Sequence, residues 1–86
     1  MGYSVQEIKK RILLKLVRWR KWGESHTENV LNGLPRHIRG EKETRQAIHE
    51  LVQEGLLIQM MKTKEAHYSL NPKKAEEIKE FLDDHD

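Results

Sequence analysis

Residues 42–58 read KETRQAIHELVQEGLLI, and the fold turns on how this run is divided. At 100° per residue, Thr44, Ala47, Ile48, Leu51 and Val52 share one face, which predicts a helix over about 41–54 with an apolar stripe. Gly55 supplies the left-handed residue that stops it. Beyond Gly55 the period changes from helical to alternating. Ile58 and Met60 alternate with Leu57, Gln59 and Met61, and AHYSL at 66–70 sets Ala66, Tyr68 and Leu70 on one side. Strands over 57–62 and 66–70, joined around TKE, make a hairpin of about 57–70.

Working outward, SVQE at 4–7 has the form of a capping box, with Tyr3 and Ile8 placed as a hydrophobic staple. A helix over about 4–22 follows. Its stripe is Val5, Ile8, Ile12, Leu16 and Trp19, widened by Leu13 and Val17, and Gly23 is placed to end it. Leu14 falls on the opposite side, among Lys10, Arg18 and Lys21, and Trp22 lies off the stripe. A shorter helix over about 27–34 is expected, capped by Thr27 or Ser25, with Val30, Leu31 and Leu34 as its contacts. Pro35 ends it. PRHIRG at 35–40 then connects to the 41–54 helix. At the other end, Asn71 caps and Pro72 opens a final helix over about 72–83, whose apolar face is Ala75, Ile78 and Leu82 with Phe81 beside it.

The chain of 86 residues is read as one domain, 1–86, because a chain of this size buries only about 60% of its unfolded surface and cannot feed two cores. The expected class is α+β, in the order helix, helix, helix, hairpin, helix. With no cysteine, neither disulfides nor thiolate metal sites are expected. No apolar run reaches the ~20 residues of a membrane span, so no membrane association and a cytoplasmic location are expected. The net charge of +2 hides a polarity along the chain. Residues 1–22 carry seven bases against Glu7, a local +6, whereas from Ala75 onward six acids face Lys79, a local −5. The bases of the first helix, Arg11, Lys15 and Arg18 among them, are expected on the arc away from its core.

Opposite the apolar stripe of the 41–54 helix lie Lys42, Arg45, Gln46, His49 and Gln53, with no acid among them. Glu43, Glu50 and Glu54 fall toward one flank and Glu41 toward the other. Cationic and amide side chains on one face suit a phosphate-lined groove, where Arg bridges guanine and Gln bridges adenine. The five histidines lack the i, i+4 spacing of helical zinc motifs, so no metal site is expected. No Gly-rich phosphate loop and no Ser, His and acid grouping is signalled, and no enzyme and no cofactor are expected.

Taken together, TRQAIHELVQEGLLI at 44–58 and HYSLNPKKAEEIKEFL at 67–82 resemble the winged helix-turn-helix superfamily of small archaeal and bacterial DNA-binding regulators. The resemblance covers nearly the whole chain, although PRHIRG is longer than the usual connection of that motif. It implies a three-helix core with a β-hairpin wing and a C-terminal helix. The 41–54 helix would enter the major groove of double-stranded DNA, and Lys62 and Lys64, at the 62–65 turn, would stand on the wing beside the phosphates. It also implies sequence-specific binding by a transcriptional regulator. The alternative is a winged-helix interaction or structural module in a larger assembly. The apolar surface of the last helix either folds back on the first helix or joins a homodimer through Leu13, Val17, Ile78, Phe81 and Leu82.

Overall fold

A computed structural model describes residues 3–23, 27, 34, 37 and 42–84. Among them the chain forms three α-helices and a two-stranded antiparallel hairpin, an α+β arrangement. The helix expected over 27–34, the PRHIRG connection and Glu41 lie outside the described residues, apart from Thr27, Leu34 and His37. No helix among the described residues is long and apolar enough to cross a membrane.

Helix α1 spans Val5–Arg18 and starts where the Glu7 amide donates to the Ser4 hydroxyl at 3.2 Å. Ile8, Ile12, Leu13 and Leu16 are buried. The helix ends earlier than Gly23. Arg20 takes the left-handed conformation with φ 56°, its amide donates to the Val17 carbonyl, and the Lys21 amide donates to the Leu16 carbonyl. These two bonds are the Schellman closure that satisfies the last carbonyls. Trp19, expected in the core stripe, keeps helical dihedrals as the C-cap, with its amide bonded to the Lys15 carbonyl. It lies past Leu16, the last buried residue of the helix, and its expected core role is corrected. Trp19 is 37% exposed, beside the Lys15 ammonium at 5.4 Å from its ring centroid. Trp22 packs against the core instead. It is held there because the Leu70 amide donates to the Lys21 carbonyl at 2.7 Å and the Gly23 amide to the Leu70 carbonyl at 3.0 Å.

Helix α2 spans Lys42–Gln53 and buries Thr44, Ala47 and Leu51, with Ile48 and Val52 half-buried beside them. Gly55, at φ +80°, ends it, with the Gly55 amide bonded to Val52 and the Leu56 amide to Leu51. The chain turns directly into β1 (Leu57–Lys62), which pairs with β2 (Glu65–Leu70) from Leu57 opposite Leu70 to Lys62 opposite Glu65. The turn is therefore the two residues Thr63 and Lys64 rather than TKE, because Glu65 already belongs to the ladder.

Asn71 binds this corner together. Its amide donates to the Leu56 carbonyl, its side-chain NH2 donates to the Gly55 carbonyl at 2.8 Å, and its side-chain oxygen accepts the Lys73 amide at 3.0 Å. One residue thus fixes the exit of α2 and caps the 3-10 turn Pro72–Lys74 that leads into α3 (Ala75–Asp84). Helix α3 packs on α1 of its own chain, burying Ile78 and half-burying Phe81 and Leu82. Leu13 and Ile78, expected either in the fold-back of the last helix on the first or on a dimer surface, are core residues of the single chain, at 0% and 1% exposure.

Candidate nucleic-acid interface

All five side chains of the α2 strip, Lys42, Arg45, Gln46, His49 and Gln53, are exposed, because Thr44, Ala47 and Leu51 turn the opposite face into the core. Helix position alone leaves the tilt of such a strip open. An ion cluster sets it. The Lys9 ammonium of α1 lies 2.7 Å from one Glu50 oxygen and 3.3 Å from Glu54. Lys9 was expected among the outward bases of the first helix; its side chain is only 2% exposed. Burial alone would push the Lys9 pKa down, but its hydrogen bonds to Glu50 and Glu54 outweigh this and leave it raised.

The second Glu50 oxygen accepts the Gln46 side-chain NH2 at 2.8 Å. Lys9 first, and Gln46 second, hold the Glu50 carboxyl below its ordinary range. The acid nearest the strip is thus ionised and compensated. Its neutralising cation comes from another helix, so the compensation costs the strip none of its own cations. The same bond orients Gln46. One amide proton is committed to Glu50, while the carbonyl and the other proton remain for a ligand, the pair of groups that an adenine edge engages.

Strand alternation decides what the hairpin presents to α2. Gln59 and Tyr68 are cross-strand partners, and with Arg45, Ile48, His49 and Val52 they line a groove of about 250 Å³ between α2 and the hairpin. Gln59 and Tyr68 were not expected as site residues. No sequence signal marks them, since their place depends on which hairpin face meets α2. Burial pushes the Tyr68 phenol pKa up, so its hydroxyl keeps its proton at neutral pH. Met61, opposite Ala66, continues this face toward the tip and is 65% exposed.

Lys62 belongs to the other hairpin face, with Ile58 and Met60, and Lys64 stands in the turn. Both are exposed at the hairpin tip. Between Lys62 and Lys64, Thr63 has φ 58°, a conformation that a β-branched residue rarely takes. On α1, the Arg11 guanidinium lies 4.3 Å from the Tyr3 ring centroid, which holds that cation against the N-terminal end of the helix.

Comparison of the chain with protein families, with curated proteins and with solved structures returns no match. A functional reading therefore rests on these residues and their geometry.

Proposed function

We propose that the chain is a winged-helix domain that binds double-stranded DNA in a sequence-dependent way and serves as a cytoplasmic transcriptional regulator. Helix α2 is the reading helix and the Thr63–Lys64 turn is the wing tip. The observation that carries this reading is the α2 strip itself: Lys42, Arg45, Gln46, His49 and Gln53 all face solvent, and the charge of the adjoining Glu50 is answered by Lys9 from inside the protein. A surface of this kind offers cations to phosphate and amides to base edges without a repelling carboxylate at its centre. The exposed Lys62 and Lys64 then add sequence-independent backbone contacts.

Binding of a mixed-sequence duplex measured across a salt series tests the proposal. Affinity should fall with a slope of roughly −0.9 in log salt for each phosphate neutralised. An affinity below detection at low salt would remove the proposal.

A further inference from the structure

The groove between α2 and the hairpin is lined by one aromatic ring, Tyr68, two aliphatic side chains, Ile48 and Val52, and three polar groups, Arg45, His49 and Gln59. No carboxylate is among them. At about 250 Å³ it falls below the ~300 Å³ at which pockets for drug-sized ligands begin. Base edges inside a duplex are met by side chains that project from a helix, as the exposed Lys42, Gln46 and Gln53 do. A recess beside those side chains is filled only by a group that projects from the DNA. A phosphate projects, but it gains nothing from Ile48, Val52 and the Tyr68 ring. A single base turned out of the stack also projects, and it needs what is present here: an aromatic face, an apolar floor and an amide for its hydrogen-bonding edge. A second observation lies on the same hairpin face. From the core toward the tip that face carries the cross-strand pairs Leu57 and Leu70, Gln59 and Tyr68, then Met61 and Ala66. Met61, one pair beyond the groove, is 65% exposed, far more than Leu14 or Trp19 at 37%. The exposed Lys62 and Lys64 beside it are cations that bring phosphate to this tip.

We propose that the groove holds one unpaired nucleobase of the bound DNA, with Met61 wedged into the stack where that base leaves it. Tyr68 stacks on the base, Gln59 bonds its edge, and Arg45 and His49 meet the flanking phosphates. An apolar side chain set between base steps keeps the stack open, which is what the exposed Met61 supplies. The inference rests on the DNA reading and narrows its substrate. A base in a perfect duplex must be unpaired and unstacked before it can enter, whereas most of that cost is absent for a base without a partner. The site therefore selects duplex that carries an unpaired base over fully paired duplex. Every base has a π-face, so stacking on Tyr68 accepts any of them.

Binding of one duplex in three forms by the intact protein tests this: fully paired, with one unpaired adenine, and with an abasic nucleotide in place of that adenine. The unpaired adenine should raise affinity about tenfold over the paired form, the size of one base–aromatic stack, and the abasic form should not. Tyr68→Leu, which keeps the apolar lining without the ring, and Met61→Ala, at an exposed position outside the core, should each abolish the preference and keep the affinity for paired duplex. Tyr68→Phe retains the ring and should retain the preference. Equal affinity for the paired and unpaired forms, a preference as large for the abasic form, or one that survives both Tyr68→Leu and Met61→Ala would each overturn the proposal and leave duplex binding standing. Binding to none of the three forms would overturn the DNA reading together with it.

Discussion

Lys9 and Glu50 meet across the α1–α2 packing with an N–O distance of 2.7 Å, although 41 positions separate them in the chain. The contact joins the structural core to the proposed reading face, because the other Glu50 oxygen holds Gln46. Lys9→Met keeps the alkyl packing and removes the charge, leaving two carboxylates that are partly open to water, at 33% and 51% exposure. The expected loss is about 1–2 kcal/mol, between the values for surface and for fully buried pairs. Urea unfolding at neutral pH measures it.

The same pair predicts a pH profile. Glu50 is held below its usual 4.5, so its contribution is present above about pH 4.5 and fades as the pH falls through its lower folded-state value. Lys9 is raised above 10.5, so its contribution is complete below that pH and is lost only as the pH rises past its folded-state value. The contact therefore holds across the neutral range. Lys9→Met should flatten the acid limb of a stability–pH curve, and an unchanged limb would show that Glu50 does not report on Lys9.

Leu51 is fully buried at the centre of the α1–α2 contact, and Leu51→Ala should cost about 2–5 kcal/mol through the cavity it opens. The tryptophans give a sharper check. Trp22→Ala should destabilise more than Trp19→Ala, the reverse of the order that the helical stripe predicts, and paired denaturant curves would read it directly.

Thr63 and Arg20 both occupy the left-handed region, at φ 58° and 56°. Relief of about 1–2 kcal/mol of backbone strain, less the 0.5–1 kcal/mol by which glycine favours the unfolded chain, leaves Thr63→Gly and Arg20→Gly more stable by roughly 0.5–1 kcal/mol each. In a domain of this size such a gain raises Tm by a few degrees. A lower Tm in both would mean that these residues do not occupy that region.

For DNA, Arg45→Ala and His49→Ala should weaken binding without lowering Tm, since both side chains are exposed. Lys64→Ala should weaken binding to all sequences alike and reduce the salt slope by about one. Undiminished affinity in the Arg45/His49 double variant would exclude α2 as the reader.

What the sequence determined by itself was local. Gly55 as the end of α2, Ser4 and Asn71 as caps, and the change of period at Leu57 are all legible, because backbone conformation there is decided by a few adjacent residues. The outward position of Lys42, Arg45, Gln46, His49 and Gln53 follows from the same short-range periodicity. Tertiary structure alone decided what each face meets. Lys9 is an ordinary helix base until Glu50 and Glu54 arrive beside it from another helix, and their charges outweigh the cost of its burial. Trp19 continues the stripe with helical dihedrals, yet it stands past the last buried residue of the helix and is part-exposed, while the backbone bonds that Lys21 and Gly23 share with Leu70 bring Trp22 to the core. Leu13 and Ile78 are apolar in any reading, but only the packing of α3 on α1 makes them interior and leaves Leu14 at an open groove. A helical wheel gives the direction in which a side chain points; the free energy of burying it depends on which distant segment comes to cover it.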